Sequence, residues 1–242
     1  MVTENPFFPG ATAVSGLSVY GWEAEDGHCG GSPHMHLACT EAYVTVSGAG
    51  AVQTLTAEGP QETPLRAGTV VWFGPGTIHR AINGDGALRV IVVMQNAGLP
   101  EAGDAVFTFP PEVLADRSTY RRAATLTSPS TTESARARRD LAVRGYLDLV
   151  ERVSTGDTSA LEEFYRRAVD LVSDKVDDWD AVWKAGPVEA VRRTGDHLAA
   201  LRDGRIDHLL RAGVRTEEAP AVDDRKFGMC GRLDTYPLSP NR

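Results

Sequence analysis

Between residues 13 and 95 the apolar positions come in short runs broken by glycine, not in a helical period. Gly16-Leu17-Ser18-Val19-Tyr20-Gly21-Trp22 opens the series. Ala42-Tyr43-Val44-Thr45-Val46 then runs into Ser47-Gly48-Ala49-Gly50, a hairpin signal, and Ala51-Val52-Gln53-Thr54-Leu55 follows. Runs of this length, rich in β-branched and aromatic residues and bounded by turn residues, predict strands. Thr69-Val70-Val71-Trp72-Phe73 ends in the breaker Gly74-Pro75-Gly76. Residues 88–94 form a continuous apolar run, the pattern of a strand covered on both faces. Many short strands with regular glycine turns predict a sandwich or small barrel.

After Thr132 the period becomes helical. Val143, Tyr146, Leu147, Val150 and Val153 mark one amphipathic helix. Ser159 with Glu162 forms a capping-box signal for a second, whose buried stripe is Leu161, Phe164, Ala168, Leu171 and Val172. Gly186 reads as a helix stop, and Pro187 as the first turn of a third helix carrying Val191, Leu198 and Leu201 and ended by Gly204. Pro100, Pro110 and Pro111 punctuate a connection after residue 95. The stretch 217–242, rich in proline and charge, reads as a tail draped over the surface. The expected organisation is mainly β: a β-barrel in residues 1–110, a connecting segment 111–131, and an α-helical extension with its tail in 132–242.

Composition narrows the function classes. No apolar stretch approaches the eighteen residues of a membrane span. Met1-Val2-Thr3-Glu4-Asn5-Pro6 lacks the basic-then-apolar order of a secretory signal. The cysteines Cys29, Cys39 and Cys230 are few and odd in number, which favours a reducing, cytoplasmic setting over a disulfide framework. A net charge of −8 argues against a nucleic-acid or anionic-membrane partner. Beyond Arg136 acids balance the bases, so no helix offers the basic face that reads DNA.

The chemistry concentrates in Pro33-His34-Met35-His36-Leu37-Ala38-Cys39-Thr40-Glu41. Two histidines at i and i+2 on a strand point to one side, because strand side chains alternate. Glu41 is an odd number of residues from His36, so a turn or bulge must intervene before it can face the same point. His79, just past the Gly74-Pro75-Gly76 turn, is the candidate fourth ligand from another strand. Imidazoles with a carboxylate suit Fe, Mn, Zn, Ni or Co. Asn83 is a candidate for orienting a ligand or closing a strand end, and Tyr43 for lining a cavity or filling the core. Cys39 and His28 read as non-ligands, Cys230 as a packed small hydrophobe, and His197 and His208 as helix-surface residues.

These segments resemble the two motifs of the cupin superfamily. The first, Gly-x5-His-x-His-x(3–4)-Glu-x6-Gly, is matched by His34, His36, Glu41 and Gly48; its leading glycine is displaced to Gly27, with His28 in the expected place. The second, Gly-x5-Pro-x-Gly-x2-His-x3-Asn, is matched by Gly68, Gly76, His79 and Asn83, with Gly74 where proline is usual. The resemblance covers residues 30–95. It implies a jelly-roll barrel holding one divalent metal ion by His34, His36, Glu41 and His79, with two positions left for water, substrate or dioxygen. Glu41 is then the candidate catalytic group, a ligand able to accept a proton on detaching.

Cupin activities include oxygenase, isomerase or epimerase, and decarboxylase reactions, and some members are non-catalytic small-ligand binders. An interior of Val, Ile, Phe and Trp points to a mononuclear metal oxygenase of small molecules, with a sugar-type isomerase as the alternative. Only Arg66, Arg80 and Arg89 stand near the motifs, which favours a neutral or weakly polar substrate. The resemblance also implies pairing into a homodimer.

Overall fold

The glycine-broken runs do form strands. A computed structural model describes residues 8–127, 129–157 and 159–237; the Met1–Pro6 start and residues 238–242 of the tail lie outside them. The first nine strands are β1 (Ala13–Val19), β2 (His34–His36), β3 (Glu41–Ser47), β4 (Ala49–Thr56), β5 (Gly59–Arg66), β6 (Val70–Phe73), β7 (Ile78–Asn83), β8 (Arg89–Met94) and β9 (Ala105–Phe107). Six helices follow: α1 (Pro111–Leu114), α2 (Arg117–Ala124), α3 (Thr132–Ser154), α4 (Ser159–Val172), α5 (Val176–Trp183) and α6 (Glu189–Arg202). A hairpin of β10 (Lys226–Phe227) and β11 (Gly231–Thr235) is the last element of the described residues.

The strands make two antiparallel sheets, ordered β10-β11-β1-β8-β3-β6 and β5-β4-β7-β2-β9. Among the described residues no strand pairing bridges them, so the arrangement is a two-sheet one, not a demonstrated closed barrel. Helical residues outnumber strand residues, so "mainly β" describes the first half only. The expected hairpin at residues 47–50 is instead a crossover. β3 pairs with β8 and β6, while β4 pairs with β5 and β7. Gly48 makes this switch at φ 75°, where a Cβ would also stand 2.5 Å from the Ala87 carbonyl. Only glycine fits both conditions.

The helices share one core with the sheets. Leu161, Phe164, Ala168, Leu171 and Val172 of α4 are all buried, as their period predicts. At about 1.5–3 kcal/mol for each fully buried large side chain, this stripe is a main reason that α4 stays docked. The start of α4 departs from the expected capping box, since the Asp157 carboxylate accepts from the Ser159 N–H and hydroxyl. A capping box does occur at α3, between Thr131 and Ser134. Helix α3 is fastened through Arg139, whose Nη1 donates to the Trp22 and Gly30 carbonyls and whose Nη2 donates to that of Glu23.

Two expectations for the later chain fail. Gly186 does not stop a helix: α5 continues through a five-residue π turn, Lys184–Val188, into α6. Proline lacks an N–H and clashes with the carbonyl four residues back, and the wider turn accommodates it. Helix α6 does carry Val191, Leu198 and Leu201, and they face solvent, at 74%, 50% and 52% exposure. In addition, the stretch read as a draped tail supplies β11, which pairs with β1 in register Leu17↔Leu233. No described helix is long and apolar enough to cross a membrane.

Candidate metal centre

β2 lies between β7 and β9, with His34 opposite His79 and His36 opposite Ala105. His34 and His36, two residues apart, therefore project the same way, toward the facing sheet. The chain then leaves β2, bends at Leu37 and Ala38, and enters the other sheet at Glu41, the first residue of β3. This is the interruption that the odd spacing required. All four side chains are buried, and each offers a ligand atom within 4.8 Å of the others.

The outward nitrogens of the histidines are fixed by hydrogen bonds. His34 Nδ1 is 2.9 Å from the Ser32 carbonyl and His79 Nδ1 is 3.0 Å from that of Thr77, so each ring carries its proton on Nδ1 and turns Nε2 inward as a lone pair. His36 Nδ1 is 3.2 Å from the Asp104 carboxylate. Asp104 also accepts from the Leu37 and Ala38 N–H groups through Oδ1, so one buried carboxylate orients the ring and pins the bend that delivers Glu41. A carboxylate behind a ligating imidazole is a recurring way to fix the ring and raise its basicity. Sequence reasoning missed Asp104. It lies 68 positions from His36, and only the β2–β9 register brings it close.

Glu41 Oε2 lies 2.9 Å from His79 Nε2 and 3.2 Å from His36 Nε2. Yet neither Glu41 Oε2 nor His79 Nε2 has a hydrogen-bond partner. Proximity and lack of a bond agree if the atoms face one another with lone pairs. Such a contact needs positive charge between them. A divalent ion fits, since ligands about 2.0–2.2 Å from one ion stand about 3 Å or slightly more from each other. Three imidazoles and a carboxylate suit Fe, Mn, Zn, Ni and Co.

Electrostatics follows from burial and these contacts. Burial, helped by His79 and His36, pushes the His34 pKa well below its ordinary 6.5. Burial also opposes charge on His36, but the neighbouring Asp104 and Glu41 carboxylates outweigh it and raise its pKa to about 9. For Glu41 burial is again outweighed, here by His79 and His36, and the carboxyl is held far below the usual range.

The cluster opens on a cavity of about 380 Å³, within the range of small-molecule sites. Leu17, Val92, Met94 and Phe227 supply much of its apolar wall. Trp72 and Val70, part of the expected apolar interior, instead face solvent, with Trp72 69% exposed. Tyr43 lines the cavity and is also a buried core residue; its phenol lies against the Cys230 thiol and the Glu41 carboxylate, and burial pushes its pKa well up. Cys230 also lines the cavity, a position that no local pattern of residues points to.

The remaining sequence candidates settle elsewhere. Asn83 closes a strand end, donating to the Val19 carbonyl and accepting from the Leu88 N–H. Cys39 is buried against Asn96, and His28 is exposed. His197 and His208 stack on each other at 4.5 Å. Of the three arginines near the motifs, Arg80 is buried against Asp26 and Gln53, Arg89 pairs with Asp234, and Arg66 is exposed. None of them lines the cavity. Arg138 of α3 does.

No family model matches the chain, and no curated protein matches it. Among solved structures it is similar to the capsular polysaccharide assembling protein CapF of Staphylococcus aureus, at 20% identity over 33% of this chain and 24% of that one, with a TM-score of 0.30. It is also similar to WlaRA, a TDP-fucose-3,4-ketoisomerase of Campylobacter jejuni, at 9% identity over 39% of this chain and 64% of that one, with a TM-score of 0.31. A predicted oxalate decarboxylase of Thermotoga maritima matches at 20% identity over 35% and 64% of the two chains, with a TM-score of 0.27. The matched part of the alignment spans about a quarter of the CapF chain. At these TM-scores the likenesses add nothing to what the motifs and the geometry carry.

Proposed function

We propose that this chain, whose motifs, paired sheets and buried His/Glu cluster support a cupin fold, is a mononuclear metal-dependent enzyme acting on a small molecule, of oxygenase type where the ion is iron. The observation that carries the reading is the meeting of Glu41 Oε2 and His79 Nε2 without a hydrogen bond, beside His34 and His36 at the wall of a largely apolar cavity. When bound, the ion supplies Lewis acidity and, if redox-active, an electron route to dioxygen.

The protein's own groups prepare that chemistry. The Ser32 and Thr77 carbonyls fix two tautomers, and Asp104 fixes the third ring. The apolar wall limits water around the substrate, which strengthens every charge interaction inside. A second reading, a sugar-type isomerase or epimerase, is favoured by one observation. The ionised Glu41 carboxylate and the neutral Tyr43 phenol are neighbours, a proton acceptor beside a proton donor on the same wall.

The test is to identify the native metal by mass spectrometry and assay the loaded chain. Oxygen uptake with phenolic, thiol or keto-acid compounds supports the oxygenase reading, and aldose–ketose interconversion without oxygen uptake supports the second. Silence in both, with a small molecule retained through purification, favours a non-catalytic binding protein.

A further inference from the structure

The cation in the cavity comes from the helical half of the chain, where the sequence offered no reason to look for a substrate contact. Arg138 and Arg139 are adjacent on α3 and both sit largely inside the protein, yet their guanidinium groups are used differently. Arg139 engages all three nitrogens, with Nε to the Asp140 carboxylate and both Nη to backbone carbonyls. It is a structural clamp with a counter-ion.

Arg138 is only partly engaged. Nη1 donates to the Ala124 carbonyl at 3.1 Å and Nη2 to the Gly228 carbonyl at 2.7 Å. Its buried Nε has no partner, and among the described residues no carboxylate pairs with it. A guanidinium has five N–H donors, so three remain. The guanidinium carbon stands 5.1 Å from the centre of the Phe107 ring, and that ring is 6.3 Å from the His34 ring. One phenyl group thus separates the unpaired cation from the metal cluster. Of the acidic neighbours, Glu101 lines the same cavity but accepts from the Gly98 N–H, and Asp223 and Asp224 line a second recess that Arg138 borders together with Arg225, Lys226 and Arg232, without an ion pair to Arg138.

A largely buried charge without a counter-ion is costly unless something supplies one. We propose that the substrate of this site is a small organic oxyanion, a carboxylate or a phosphate ester, whose anionic end docks on Arg138 while its other end reaches the His34–His36–Glu41–His79 cluster. This rests on the metal-enzyme reading for the role of the cluster, and replaces the expectation of a neutral substrate. Planar guanidinium groups suit such anions because two parallel N–H bonds match two oxygens.

The test is calorimetric titration of the full chain with two matched pairs: glycerate against its uncharged amide, and glycerol 3-phosphate against glycerol. At least one anion should bind about tenfold or more tighter than its uncharged partner, and which one does identifies the anion class. Arg138→Gln should weaken that anion by about 10- to 100-fold, leave the uncharged partner unchanged, and leave metal content by mass spectrometry unchanged. Arg138→Lys should keep part of the preference. Equal binding of anion and uncharged partner to the native chain overturns the proposal, as does an undiminished preference in a folded Arg138→Gln protein. If Arg138→Gln loses its fold through the Gly228 contact, the native chain's preference and its partial loss in Arg138→Lys decide. A native chain that binds no metal but still prefers the anion sinks the metal reading and leaves the anion site standing.

Discussion

The half of the molecule made of the two sheets with α3 and α4, and the half made of α5, α6 and the chain to residue 225, differ in how they treat polar and apolar groups. In the first, ionisable groups are buried, yet nearly every one has a protein partner: Asp104 has His36 and two N–H groups, and Arg139 has three carbonyls and Asp140. In the second, the departure runs the other way. Val191, Leu198, Leu201, Leu209 and Leu210 face water, and Ala200 is the buried residue of α6. Hydrophobic period says that a segment is a helix, but not whether anything covers its stripe. Buried polar groups left over after all protein partners are assigned point instead to something the protein binds.

Breaking the first half should cost most at the metal cluster. His79→Ala is expected to lower divalent-metal affinity by more than about 100-fold, read by competition with a chromophoric chelator, since it removes a ligand outright and the loss of a group that only orients a ligand already costs about 10–100-fold. Arg139→Ala should lower unfolding free energy by about 2–4 kcal/mol in urea, because it strands the buried Gly30 carbonyl and the partly buried Trp22 carbonyl and empties a fully buried side-chain site. A loss below 1 kcal/mol would mean that α3 is not fastened as described. Asp104→Asn should weaken metal binding by about 10–100-fold while near-native far-UV circular dichroism is kept.

pH gives a graded test. Metal and protons compete for the imidazoles, and His36 holds its proton up to about pH 9 in the metal-free cluster. Apparent metal affinity should therefore rise with pH, by up to about tenfold per unit, and level off near pH 9. The raised His36 pKa also stabilises the metal-free fold below its ordinary 6.5, and that contribution is lost as pH rises through about 9. At the small end, Leu198→Ser on the exposed face should change stability by no more than about 0.5 kcal/mol. A loss above 2 kcal/mol would show that this face is covered in solution, and the contrast between the two halves would fail.

Much of the first half was legible because its information is local. His34 and His36 share a strand face by alternation, Glu41 needed a bend, and His79 follows a Gly-Pro-Gly turn; each is a statement about neighbours in sequence. Asp104, Cys230 and Arg138 were not legible, because each reaches the site through long-range register: β9 on β2, the β10–β11 hairpin on β1, and α3 across the cavity. The same limit explains β5, whose Pro60 and Pro64 disguise an edge strand, and β11, hidden in a stretch that reads as a polar tail. Helix α6 was legible as a helix but not in its packing, since a stripe of the right period does not say whether anything covers it.

The most direct test of the central claim is metal stoichiometry by inductively coupled plasma mass spectrometry, on the native chain and on a variant with His34, His36 and His79 all replaced by alanine. The account predicts one tightly held divalent ion per native chain and none in the variant, with the variant's far-UV circular dichroism still native-like. A variant that retains the native metal content, or a native chain that takes up no ion under reconstitution, would contradict it.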